Sequence, residues 1–197
     1  MMARWLESKR LALSLVFSFL TSLSWAGVWV VADFNSGNTP LNAGPSSNIS
    51  DIGSASHAFR TDSASEPAVG RRGYSLKITH SASGGSFLVL DFASPVNVST
   101  YSTLSFWVRG AVGSEKFQVS LKRNTAPNEP NFRPDIRNFL SVGVSTGWQK
   151  VTIPLRSLMA DWVVNTSTAL SDVTGVVFTV DAAVPTESFY IDDVLFH

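Results

Sequence analysis

Residues 117–123 read FQVSLKR, and their alternation is strict. Phe117, Val119 and Leu121 fall on one side of an extended chain; Gln118, Ser120 and Lys122 fall on the other. A helix of 3.6-residue period would not sort these residues this way, so the stretch predicts a half-buried β-strand with a polar but weakly charged outer face.

Working outward in both directions, runs of the same kind recur between turn signals. They are GVWVVADF (27–34), YSLKITH (74–80), SFLVLDF (86–92), LSFWVRG (104–110), FLSVGVS (139–145), WQKVTIPL (148–155), TGVVFTVDA (174–182) and ESFYIDDVLF (187–196). About nine strands with almost no helical periodicity predict an all-β protein built as an antiparallel β-sandwich. The only helical candidate is LRSLMADW (155–162), which can form a turn or two after Pro154. Two segments do not read as strands. Residues 35–72 are rich in Gly, Ser, Asn, Pro and Ala and are expected to be a tolerated loop. Residues 124–138, NTAPNEPNFRPDIRN, gather Asn124, Asn128, Asn131, Arg133 and Asp135 around Phe132, and three prolines limit the ordering cost of a binding loop.

The N-terminus reads as an address label. Arg4, Lys9 and Arg10 precede the apolar run LALSLVFSFLTSL (11–23), and Ser24-Trp25-Ala26 offers a small-x-small cleavage site. The apolar run is shorter than the ~20 residues that cross a bilayer. Residues 1–26 are therefore expected to be a signal peptide and residues 27–197 one exported domain, periplasmic or extracellular, with no membrane span. Export permits disulfides, but the chain has no cysteine, so its core carries the stability. Lys and Arg number 15 against 15 Asp and Glu, and charged residues are only 15% of the chain. A balance of this kind argues against nucleic acid as partner and suits a neutral polar one.

The terminal strand carries a local puzzle. In FYIDDVLF (189–196), Ile191 and Val194 are both core candidates yet have opposite parity, so the alternation slips at Asp192-Asp193 as it would at a β-bulge. The residues alone leave two roles open for these aspartates: hard oxygen ligands for calcium, or acceptors for loop amides.

With these runs in hand, a family resemblance can be stated. ADF (32–34), GYSLKIT (73–79), YSTLSFWVRG (101–110), GWQKVTIPL (147–155), LSDVTGVVFTV (170–180) and FYIDDVLF (189–196) resemble the galactose-binding-like jelly rolls that serve as carbohydrate-binding modules, nearest to the family 11 modules of secreted glycanases. The resemblance implies that the last strand packs beside the first, with a structural calcium near their ends. That site maps onto Asp33 in the first strand and Asp193, with Asp192, in the last. It also implies a polysaccharide or other glycan partner bound on one concave sheet.

Sugar rings stack on aromatic faces and their hydroxyls pair with planar polar groups, which sets the candidate list. Trp162 lies in a polar neighbourhood away from the clear strands. Gln118, Ser120 and Lys122 project together, Arg109 extends the corresponding face of LSFWVRG, and Arg133 comes from the proline-rich loop. Trp107 and Trp148 read as scaffold. A catalytic role needs paired carboxylates or a triad, and His57, His80 and His197 fall in no H-x-H or H-E-x-x-H arrangement. The leading expectation is thus a secreted, non-catalytic carbohydrate-binding domain. Two rivals stand beside it: an envelope protein whose partner is another protein, as in assembly factors of related jelly-roll fold, and a polysaccharide-active enzyme without a recognisable motif. A solitary domain also leaves room for a separate secreted enzyme as partner.

Overall fold

A computed structural model of the protein describes residues 27–62, 73–81, 84–124, 133–159 and 166–197. Ten strands form two antiparallel sheets. Sheet A runs β3 (Ala55–Arg60), β4 (Ser75–His80), β10 (Glu187–Phe196), β6 (Thr103–Gly110), β8 (Gln149–Pro154), with β1 (Trp29–Ala32) also paired to β10. Sheet B runs β2 (Asn48–Gly53), β5 (Ser86–Val96), β9 (Val173–Val180), β7 (Gln118–Arg123). The antiparallel β-sandwich expected from the alternation is borne out.

The two inner faces meet through apolar side chains at alternate positions. Leu88, Leu90, Val119, Leu121, Val176 and Phe178 of sheet B pack against Leu76, Ile78, Phe106, Val108, Phe189 and Ile191 of sheet A. Phenylalanine rings bridge the sheets: Phe117 stacks on Phe189 with centroids 4.1 Å apart, and Phe106 meets Phe178 edge-on at 5.4 Å. Each such ring, fully buried, contributes roughly 1.5–3 kcal/mol. This large aromatic core stabilises a chain that has no cysteine and therefore no disulfide.

Two expectations were incomplete. Residues 35–72 contain β2 and β3, which sequence reading had taken for loop. Their side chains are small and polar because only Ile49 of β2 is buried, so the period-2 signal of a half-buried strand is nearly absent. The chain passes from sheet B to sheet A between them at Gly53, whose φ is +74; a Cβ there would lie 2.2 Å from the Gly85 carbonyl oxygen. Conversely FLSVGVS (139–145) is not a strand. Ile136–Phe139 form a 3-10 turn capped by the Asp135 side chain, and a turn-rich connection follows. The expected turn after Pro154 is present as a 3-10 turn, Leu155–Leu158.

The Asp192-Asp193 slip has a topological cause. One edge of β10 is shared by two strands: β4 pairs with Glu187–Ile191, and β1 takes over from Val194 to Phe196. The aspartates sit at the handover, where the register with β6 shifts and Asp193 adopts φ +46. The bulge restores parity, so Ile191 and Val194 are both fully buried.

Candidate ligand-binding faces

The strand pairings lay out the outer face of sheet B in rows. One row is Ile52, Phe87, Thr179, Gln118; the next is Ser50, Val89, Val177, Ser120; the third is Asn48, Asp91, Gly175, Lys122. The middle row is shielded even though it points away from the core: Val89 is 4%, Val177 7% and Ser120 1% exposed. In the third row Lys122 Nζ lies 2.6 Å from Asp91 Oδ1, and Ser50 Oγ donates to Asp91 Oδ2 at 2.6 Å, so that row is internally paired.

The first row is where polar reach and an aromatic ring coincide. Ile52 is exposed, Phe87 is half-buried, and the Arg133 guanidinium lies 5.0 Å from the Phe87 centroid. Gln118 Nε2 donates to Asp181 Oδ2 at 3.2 Å just beyond the end of β9. The segment carrying Arg133 reaches this face because it anneals to β7: the Val119 amide donates to the Pro134 carbonyl at 3.3 Å and the Ile136 amide to the Phe117 carbonyl at 3.0 Å. Asp135 then accepts from Arg137 Nε at 2.8 Å and Nη2 at 2.6 Å. That hydrogen bonding holds the Asp135 carboxyl below its usual range and the Arg137 guanidinium above its own.

The single polar groove expected from sequence is not what the strands build. Gln118 and Arg133 share the first row with Phe87, and Lys122 stands on the same face, but Ser120 lies in the shielded row. Arg109 is on the opposite side of the molecule, on the outer face of sheet A, because β6 belongs to that sheet. There it lies over Tyr190 at 4.2 Å and Trp148 at 5.6 Å from the ring centroids, and pairs with Asp62 at 2.6 Å. Trp148 Nε1 donates to the same carboxylate at 3.4 Å. Trp162 lies outside the described residues. Sequence reading missed Thr179 and Asp181, which looked like scaffold inside TGVVFTVDA; only a pairing of β9 with β7 reveals that they stand beside Gln118.

Asp33 and Asp193 flank the Ala32–Val194 pair, so the first and last strands do bring these two together. Asp33 Oδ1 accepts from the Asn35 amide at 3.0 Å, and Asp192 Oδ1 from the Asp193 amide at 2.9 Å. Among the described residues no group of three or more His, Cys, Asp and Glu side chains is gathered as a metal site. Asp33, Asp192 and Asp193 could hold calcium at this junction only with further oxygens, such as backbone carbonyls, to reach the six to eight it takes. A serine–histidine pair does occur: His80 Nδ1 bonds Ser86 Oγ, while His80 Nε2 bonds the Val184 carbonyl at 3.1 Å. Both side chains are buried, at 0% and 2% exposure, and tie β4 to β5 inside the fold.

The sequence model of the family described as carbohydrate binding domain 30 matches residues 31–197. No curated protein matches the chain. Among solved structures, the family 30 carbohydrate-binding module of a cellulosomal cellulase of Clostridium thermocellum is 22% identical, with a TM-score of 0.58 over 77% of this chain and 89% of that one. The family 11 module of another cellulosomal cellulase of Clostridium thermocellum is 12% identical, with a TM-score of 0.56 over 86% and 94%. A β-1,2-glucanase from Parabacteroides distasonis is similar over 85% of this chain but only 25% of its own, at 17% identity and a TM-score of 0.56. The jelly-roll carbohydrate-binding resemblance read from the sequence is borne out, with family 11 modules among the structural neighbours and family 30 as the matching family.

Proposed function

The chain belongs to the carbohydrate binding domain 30 family, and from that premise we propose that it binds a polysaccharide on the outer face of sheet B, along the row Ile52, Phe87, Thr179, Gln118. In this reading it binds without turning its ligand over and works after export, residues 1–26 serving as a signal peptide. The observation that carries the placement is the convergence in one row of a half-buried aromatic ring, a guanidinium, an amide and a carboxylate, contributed by Phe87, Arg133, Gln118 and Asp181.

The chemistry follows from that set. The apolar face of a sugar ring covers Ile52 and the part of Phe87 that Arg133 leaves open, which removes C–H surface from water. Ring hydroxyls exchange water for Gln118, Asp181 and the Arg133 guanidinium, a nearly even exchange that yields weak, selective binding. Lys122, paired to Asp91 at the far row, sets the charge of the face; Ser120 supports its floor. Trp162 remains a stacking candidate by its sequence position. Arg109 is left out because it belongs to the other sheet. A separate secreted enzyme that shares the polysaccharide is the natural functional partner for a domain that only binds.

The neighbours suggest the test panel: cellulose, mixed-linkage β-1,3-1,4-glucan, β-1,2-glucan and agarose. The expected outcome is retention of the protein on one of these, with no release of soluble sugar over long incubation. Retention on none of them and binding to an envelope protein instead would move the assignment to the protein-partner rival. Sugar release by pure protein would make it an enzyme.

A further inference from the structure

We infer that the outer face of sheet A is a second binding surface, and that it takes an acidic polysaccharide of uronate type. It stands apart from the sheet B row and does not depend on it. Two faces set back to back let one domain hold a neutral and a charged glycan together.

The strand register assembles this face. Leu76 and Ile78 of β4 belong to the core, so Lys77 between them points out, and the pairings set Lys77, Tyr190 and Arg109 side by side across β4, β10 and β6. Arg60 of β3 lies opposite Ser75, which makes it the diagonal neighbour of Lys77, about 7–8 Å away between backbones. Lys150, opposite Trp107, adds another cation on β8.

The acids on this face do not offset the cations. Asp62 is taken up by Arg109, and Asp192 is 2% exposed. Arg60 is exposed and Lys77 half-buried, and neither side chain has an ion pair among the described residues. On sheet B, by contrast, Lys122 is paired to Asp91, and nearby Arg137 to Asp135. Positive charge is therefore left over on sheet A although the chain as a whole has a formal net charge of zero.

A uronate ring joins in one unit what this face offers in two kinds of side chain. Its planar carboxylate fits the fork of the Arg60 guanidinium or the point charge of Lys77. Its C–H face lies against Tyr190 and Trp148, whose rings are half-buried. An anionic bilayer suits the face less well. The large hydrophobic side chains that are exposed among the described residues are Val28, Ile52, Val112 and Val142, and none of them belongs to β3, β4, β6, β8 or β10.

The probes are immobilised polygalacturonate, the same polymer fully methyl-esterified, dextran sulfate, and phosphatidylglycerol vesicles. The protein should be retained on polygalacturonate, released as salt rises, and not held once esterification removes the charge and keeps the backbone. Replacing both cations, Arg60→Gln with Lys77→Gln, should weaken that retention about tenfold. The melting temperature and retention on any neutral polymer should not change. Gln118→Ala should act the opposite way, sparing polygalacturonate. No retention on polygalacturonate, equal retention on dextran sulfate, binding to vesicles alone, or retention that the double variant leaves intact would each overturn the inference. Retention on polygalacturonate with none on the neutral polymers would remove the sheet B reading and leave this one standing.

Discussion

The outer faces of the two sheets use similar side chains in different ways. On sheet A, Arg109 is wedged against Tyr190 and Trp148 and pairs with Asp62 through Nη2, while its Nε is buried with no hydrogen-bond partner among the described residues. On sheet B, the ring of Phe87 is only partly covered by Arg133, and the hydroxyl of Thr179 is left without a partner at the mouth of a pocket. Richness in aromatic residues therefore does not identify the recognition face. What separates the two faces is the partly open ring of Phe87 and the pocket beside Gln118 on sheet B, where the proposed recognition face is placed.

The largest expected effect that would test this contrast is on sheet A. Arg109→Ala removes a cation shared by two rings and an ion pair whose Asp62 side is about half exposed. It should cost about 2 kcal/mol of stability, read as a lowered melting temperature, with glycan retention unchanged. Loss of retention in a folded Arg109→Ala protein would put binding on sheet A. On sheet B the pattern inverts: Gln118→Ala should weaken retention about tenfold, or ~1.4 kcal/mol, and leave the melt within ~0.5 kcal/mol of the parent. Lys122→Ala ranks lower, since the Lys122–Asp91 pair is half exposed; below about 1 kcal/mol is expected in either readout, and less at high salt.

Much of the fold was legible because ten strands share one core. FQVSLKR alternates since β7 has one wet face, and the Asp192-Asp193 slip showed as a break in parity even before its cause, the handover of β10 from β4 to β1, was known. β2 and β3 were not legible, because strands that bury one residue or mostly graze the core edge carry no period. The site was legible only in part. Gln118 and Arg133 stood out as polar groups in strand and loop, but nothing in TGVVFTVDA marks Thr179 and Asp181 as different from scaffold. Their role exists only once β9 lies beside β7. Arg109 failed for the same reason: a shared alternation cannot say which of two sheets a strand joins.

Two smaller effects sharpen the contrast at its margins. Glu187, at the start of β10, has its carboxyl raised above 4.5, chiefly by burial, against the opposing hydrogen bond from the Lys116 amide. Because its folded value is raised, the folded state holds the proton more tightly, and stability from this group falls as pH climbs from 4.5 through the folded value. Glu187→Gln should therefore melt higher than the parent above that window and converge with it below, in melts taken from pH 4 to 8. The smallest effect is expected from a chelator. With the Asp33 and Asp192 carboxylates at the β1–β10 junction accepting backbone amides, EDTA should leave the melting temperature unchanged; a drop restored by calcium would place a metal at Asp33 and Asp193.

The most direct measurement is a backbone amide NMR titration of the protein with an oligosaccharide of whichever polysaccharide retains it. The shifts should cluster at Phe87, Gln118, Thr179, Asp181 and Asp135, and leave Arg109, Trp148 and Tyr190 in place. Shifts centred on Arg109 and Tyr190, with the sheet B row silent, would contradict the assignment of recognition to sheet B.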